Sequence, residues 1–271
     1  MTPIAKKLYL GTNLKMYKNI KQTIDYLNGL SEVTKDISRE EICLFVIPSF
    51  TSLYASSLEI NQNIIKLGAQ NMFWEDFGQF TGEVSPLMLK EIGVQIIEIG
   101  HSERRQHFGE TDFTVNKKVI ASLKHGFTSL ICVGETGLDK QLNITIERLR
   151  LQLKIALNGV REEQTPNIWI AYEPVWAIGE QGVPARADYA GDIHRGLRET
   201  LWEIFPNNGG NIPLLYGGSV NHKNAVEFIC QSEIDGLFIG RSAWEIWSFN
   251  SLIREVIPVW RTKIDRLYSE N

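Results

Sequence analysis

The chain lacks the marks of secreted, membrane-spanning and nucleic-acid-binding proteins. Only three cysteines, Cys43, Cys132 and Cys230, are spread over 271 residues, so no disulfide framework can be built. All three stand in apolar runs and read as reduced core thiols of a cytoplasmic protein. A basic excess is also missing: 28 Lys and Arg against 32 Asp and Glu give a formal charge of −4. That balance argues against a nucleic-acid or anionic-membrane surface and leaves room only for a local basic pocket. No apolar run approaches a membrane span, and Met1–Lys7 lacks the apolar core of a signal peptide. There is no Gly-x-Gly-x-x-Gly or Walker-type loop, so no nucleotide cofactor is indicated. Composition shifts, low-complexity linkers and charge blocks are absent as well, and nothing marks a domain boundary.

What is present is an ordinary globular composition, 43% hydrophobic and 22% charged, in an alternating pattern. The length suits two average domains or one α/β barrel. Short β-rich runs fall at Leu8–Thr12, Ile42–Ile47, Ile64–Ala69, Gln95–Ile99, Thr128–Val133, Ile168–Tyr172, Pro213–Tyr216 and Gly236–Ile239. Amphipathic helical stretches lie between them, among them Asn19–Lys35, Val115–Lys124, Glu147–Leu157 and Asp188–Glu203. Eight strands, each followed by a helix, predict one α/β domain over residues 1–271, a closed (β/α)8 barrel. The connection Asn71–Ser85 is long for a βα loop and rich in aromatic residues, which suits a subunit contact.

In such a barrel the strand C-termini converge on one face, and polar residues gather there. Asn13 and Lys15 follow the first run, His101 the fourth, Glu173 the sixth, Gly217-Gly218-Ser219 the seventh and Gly240-Arg241 the eighth. Glu173 ends an apolar strand, and Pro174 restricts its backbone. The segment Val175-Trp176-Ala177-Ile178-Gly179 is apolar for an exposed loop, as a closing lid would be. Glu173 is thus a candidate general base, although a buried-edge glutamate before a turn explains it equally well. His101, ahead of a helix start, would stay neutral and polarise a carbonyl; an ordinary loop histidine is the plainer alternative. Lys15 could hold an anion or be a solvated lysine, and the glycine pairs could bind phosphate or merely turn. His101 and His107 lack metal-ligand spacing, and no metal site is expected. Tyr172, Met16 and the tryptophans suit core or lid packing.

Several segments, in order along nearly the whole chain, resemble the motifs of the triosephosphate isomerase family. They are Asn13-Leu14-Lys15-Met16, Gly68–Asn71, Thr81–Ser85, Ile99–Arg105, Ile131–Glu135, Ala171–Gly179 and Tyr216–Val220. The resemblance implies the family's established roles, carried over and not read from these residues alone. Glu173 would shuttle a proton between adjacent carbons through an enediolate, with neutral His101 serving the oxygens. Lys15 and Asn13 would support the negative charge, and Glu103 would buttress the site. Gly179, Gly218, Ser219 and Gly240 would bind phosphate, and Pro174 to Ile178 would form the lid, with Ile178 and Phe238 clamping the base. A homodimer is implied, with Thr81 near the neighbouring site, and no metal or organic cofactor.

The chain also departs from the family pattern. Leu14 stands where Trp is usual, Phe238 replaces a leucine, and Arg241 replaces the second phosphate-loop glycine. Glu180–Ala185 replaces the usual Thr-Gly-Lys-Thr-Ala hinge and brings in Pro184, and the tail Asn250–Asn271 is long and amphipathic. The lid and Gly-Arg-Ser-Ala-Trp segments resemble a branch acting on phosphorylated tetruloses in four-carbon polyol catabolism. That likeness implies interconversion of L-erythrulose 1-phosphate and D-erythrulose 4-phosphate. The alternatives are triose phosphate isomerisation, as in glycolysis, and a non-catalytic sugar-phosphate-binding barrel.

Overall fold

A computed structural model describes residues 7–179 and 182–269. Of the altered hinge, Glu180 and Gln181 therefore lie outside the described residues. The first half of the chain runs β1 (Leu8–Asn13), α1 (Ile20–Val33), β2 (Ile42–Ile47), α2 (Phe50–Glu59), β3 (Lys66–Ala69), α3 (Pro86–Glu91), β4 (Ile96–Ile99), α4 (Ser102–His107) and α5 (Asp112–Lys124). It continues β5 (Thr128–Val133), α6 (Gly137–Gln141), α7 (Thr145–Ala156), β6 (Ile168–Tyr172), α8 (Ala187–Ile204), β7 (Leu214–Tyr216), α9 (Ala225–Ile229), β8 (Gly236–Ile239) and α10 (Ile246–Ser269). Every neighbouring strand pair is parallel, and β8 returns to β1 to close the barrel.

Strand alternation splits the apolar residues between two cores. Leu8, Leu10, Leu44, Val46, Ile97, Ile99, Ile131 and Val133 point outward and pack beneath the helices. Cys43, Phe45, Ile47, Ile96, Leu130, Trp169, Leu215 and Phe238 fill the lumen. There Phe45 packs 5.5 Å from Trp169 and 5.7 Å from Phe238 between ring centroids, so the barrel is a plugged core and not a pore. The same alternation aims Asn13, Glu98 and Cys132 into the lumen, near its C-terminal mouth.

Local chemistry sets the helix starts. Asn19 and Gln22 form a capping box at α1, so the helix begins one residue after the expected Asn19. Capped by Thr111, α5 starts at Asp112, three residues upstream of the expected Val115, because Thr114 completes a second box. Ser85 caps α3 with Pro86 at its first position. The tail is helical from Ile246, slightly before the expected Asn250.

Three packing expectations are overturned, the first that the tryptophans serve core or lid packing: Trp202 and Trp247 are 52% and 72% exposed. Cys230 is exposed where α9 ends, so only Cys43 and Cys132 are core thiols. Met16 is 94% exposed, because the turn holding Lys15 carries it outward. No described helix is long and apolar enough to cross a membrane.

Candidate active site

A cavity of about 890 Å³ opens at the C-terminal mouth of the barrel. Asn13, Lys15, His101, Glu103 and Glu173 line one side, and Gly179, Gly218, Ser219, Gly240 and Arg241 the other. Ala177, Ile178 and Phe238 also reach it. The lid residues Pro174, Val175 and Trp176 are not among its walls.

The backbone of Glu173 leaves β6 tethered by its N–H to the Val133 carbonyl at 2.8 Å. It passes so close to Gly134 that a Cβ there would lie 1.9 Å from the Glu173 carbonyl oxygen. At Gly217 a Cβ would lie 2.9 Å from the Glu173 Cγ. Two glycines, just after β5 and β7, thus make the space Glu173 occupies, Gly134 for its carbonyl and Gly217 for its side chain. Its carboxylate, 3% exposed as a residue, lies 3.5 Å from His101 Nε2 and 3.5 Å from the Ser102 N–H.

His101 precedes α4, and its Nδ1 accepts the Glu103 N–H at 3.2 Å. A ring nitrogen that accepts carries no proton, so in the neutral ring the proton sits on Nε2, facing Glu173 and the cavity. Burial disfavours the imidazolium, but Glu173 and, when ionised, Glu98 outweigh it and raise the ring's pKa above its ordinary value. The backbone N–H on Nδ1 opposes that pull, since an imidazolium has no lone pair to offer it. The neutral Nε2–H ring is the form that this contact holds.

Lys15 adopts φ +51°, a left-handed conformation rare for a residue with a side chain. Asn13 Oδ1 stabilises the turn by accepting the Lys15 N–H at 2.6 Å, and Gln70 Nε2 donates to Asn13 Oδ1 and to the Lys15 carbonyl, each at 2.9 Å. The ammonium then reaches Glu103 Oε1 at 2.6 Å. Partial burial pushes the Glu103 carboxyl up, yet Lys15 and His101 hold it below the usual range. Lys15 is a fixed charge at the cavity wall and not a freely solvated lysine.

The lid begins as a single 3-10 turn over Val175–Ala177. Trp176 turns away from the cavity and donates Nε1–H to Glu135 Oε1 at 2.7 Å, an oxygen that also accepts from Tyr172 and Tyr189, each at 3.1 Å. Lys140 stands 3.2 Å over the Trp176 ring. At the lid's far end Arg241 Nη2 reaches the Gly179 carbonyl at 3.3 Å, joining the loop after β8 to the lid.

Reasoning from sequence overlooked Glu98, Cys132 and Gln70. Glu98 is wholly buried, and its Oε2 accepts from Asn13 Nδ2 at 2.7 Å. Its signal was an acid between isoleucines at a lumen-facing step of β4. A carboxylate, a thiol and a second carboxylate, from Glu98, Cys132 and Glu173, lie within 4.8 Å of one another beside His101. Burial pushes the Cys132 thiol well above its ordinary pKa, so it stays protonated and is a poor metal ligand.

The arrangement offers a carboxylate, a neutral imidazole N–H and an ammonium around one cavity, opposite glycine-rich loops. It suits proton transfer on an anionic carbonyl compound. The sequence model of triosephosphate isomerase matches residues 8–256. An L-erythrulose-1-phosphate isomerase of Rhizobium etli is 46% identical over 252 residues, 92% of each chain. A triosephosphate isomerase of Aquifex aeolicus is 41% identical over 244 residues, 90% of this chain and 97% of that one. The crystal structure of triosephosphate isomerase from Bartonella henselae superposes with a TM-score of 0.82 at 30% identity, covering 94% of this chain and 99% of the other. By sequence and by fold, this chain belongs to the triosephosphate isomerase family.

Proposed function

We propose that this isomerase interconverts L-erythrulose 1-phosphate and D-erythrulose 4-phosphate. The reading rests above all on Glu173, His101 and Lys15 facing one cavity while Arg241 stands at its phosphate end. Glu173 takes the proton from C3 of the ketose, and His101 Nε2–H gives its proton to the C2 oxygen as the enediolate forms. The imidazolate this leaves then takes the C3 hydroxyl proton, and Glu173 returns its proton to C2, leaving the carbonyl at C3. Charge is conserved, and no oxidant or second reactant enters. The Lys15 ammonium offsets the negative charge that develops on the oxygens. Backbone N–H groups of Gly179, Ser219 and Gly240, next to Gly218, hold the phosphate, and Arg241 adds a cation there. The lid Pro174–Gly179 keeps water out, which suppresses loss of phosphate from the enediolate, while Ile178 and Phe238 clamp Glu173 from the apolar side.

Support for the four-carbon substrate comes from the Rhizobium etli relative and from Arg241. The Aquifex aeolicus relative favours a second reading, isomerisation of triose phosphates. A panel of three- and four-carbon ketose and aldose phosphates decides between them. Ordinary turnover of dihydroxyacetone phosphate with no turnover of tetrulose phosphates would sink the first reading. Solvent deuterium uptake into substrate no faster than in Glu173→Gln would leave only a binding barrel. We place the enzyme in the cytoplasm, where sugar phosphates are retained, and read it as a homodimer through the Asn71–Ser85 loop, with Thr81 beside the neighbouring site. Phe77 is 85% exposed there, an apolar surface a partner would cover.

A further inference from the structure

Beneath the cavity lies a carboxyl that the proposed chemistry does not use. Glu98 occupies the middle of β4 and points into the lumen beside Ile96, with no surface reaching solvent. Barrel lumens are filled by branched aliphatic residues, and a buried acid there is costly unless neighbours answer it. Three strands and the turn after β4 meet it. Asn13 of β1 donates to Oε2 at 2.7 Å, His101 Nε2 lies 3.9 Å and Cys132 Sγ of β5 4.0 Å from Oε1, and Glu173 beyond β6 completes the group. The Lys15 ammonium contributes to its field, and it is engaged by Glu103.

We propose that Glu98 is a positioning residue for the isomerase reaction: as a neutral carboxyl it latches the Asn13 amide, and through it the Lys15 turn, and its ionisation slows proton transfer. The inference rests on the isomerase reading above and concerns the same cavity.

The latch follows from hydrogen-bond arithmetic. The Asn13 amide can present its NH2 or its oxygen to either side. With Glu98 accepting from Nδ2, Oδ1 must face the two donors above it, the Lys15 N–H and the Gln70 NH2. An amide without that acceptor can flip, which would set its NH2 against both donors and leave the left-handed Lys15 turn without its clamp. The ammonium that faces the substrate oxygens would lose its fixed place.

The protonation state follows from the surroundings. Burial above all, with Glu173 beside it, raises the Glu98 carboxyl to about 7, against the opposing pull of the Asn13 hydrogen bond, Lys15 and any charge on His101. When neutral it can still accept from Asn13. Ionised, it would put a second negative charge beside Glu173 in the cavity where the enediolate charge must develop, and that opposes the reaction.

The test uses full-length wild type with Glu98→Gln and Glu98→Leu, assayed for tetrulose phosphate isomerisation from pH 5.5 to 9. Glutamine accepts from Asn13 but cannot ionise; leucine does neither. At pH 6, Glu98→Gln should hold kcat within about threefold of wild type and lack the alkaline fall that wild type shows. Glu98→Leu should lose about 10- to 100-fold in kcat with KM within threefold, because orientation and not binding is damaged. Glu98→Gln should also gain thermal stability over wild type at pH 8 more than at pH 5, as follows for a buried carboxyl that ionises only with cost. A Glu98→Gln profile superimposable on that of wild type, or undiminished kcat in Glu98→Leu, overturns the inference. If wild type turns over no sugar phosphate, the functional reading falls and this inference with it. If wild type is active and the variants behave identically, only the inference falls.

Discussion

His194 offers a test of stability that is independent of substrate. It lies in α8 with no surface exposed, its Nδ1 2.7 Å from the Ala190 carbonyl and its ring 5.5 Å from Tyr172 and 6.2 Å from Tyr216. Burial dominates there and lowers its pKa from 6.5 to about 4. A base whose folded pKa is depressed binds fewer protons folded than unfolded. Its cost is therefore absent above pH 6.5 and grows as the pH falls toward 4. The fall from 6.5 to about 4, with the ring half-protonated at pH 4, removes about 3 kcal/mol of stability by that pH. For a domain of this size that is a drop of roughly 6–12 °C in Tm. Other groups titrate in the same range, so the measurement is a difference. Urea unfolding of wild type and His194→Phe at pH 7, 5 and 4, at fixed chain concentration, should show the two stability curves diverging by about 3 kcal/mol on acidification, with the variant the less acid-sensitive. Parallel curves would refute the account of a buried neutral imidazole.

Three further outcomes follow from the site and its surface. Lys15→Met should lower kcat/KM by about 10²- to 10³-fold, because the ammonium fixed by Glu103 is lost from the developing charge; steady-state assays check it. Arg241→Gly, which restores the family's usual residue, should raise KM for tetrulose phosphate about tenfold and leave kcat nearly unchanged, measured beside dihydroxyacetone phosphate. Phe77→Asp should shift the chain toward monomer in sedimentation velocity, since Phe77 is the most exposed aromatic side chain on the Asn71–Ser85 loop.

Much of the architecture was legible because barrel strands are short, buried and bounded. Ile42–Ile47, Thr128–Val133, Ile168–Tyr172 and Gly236–Ile239 match the observed strands end to end. Where the third strand begins was less clear: Ile64 and Ile65 are apolar like the strand they precede, yet their N–H groups bond back to Asn61 and close a turn. Met16 was misread for a related reason, since nothing local reveals that the turn at Lys15 reverses to the left-handed region. Glu98 escaped notice because an isolated acid in an apolar run has no motif to announce it.

Alone, the sequence determined the order of elements, the barrel and the chemical types at its mouth: a glutamate before a proline, a histidine before a helix, and a lysine after the first strand. Those are matters of periodicity, backbone restriction and side-chain chemistry, all local in the chain. Only the tertiary structure decided that Lys15 meets Glu103, that Asn13 is gripped between Glu98 and the Lys15 backbone, and that Arg241 reaches the lid at Gly179. These partners stand up to 88 residues apart in sequence. What joins them is the closure of β8 onto β1 and the inward alternation of the strands, which turn distant strand ends into a single rim.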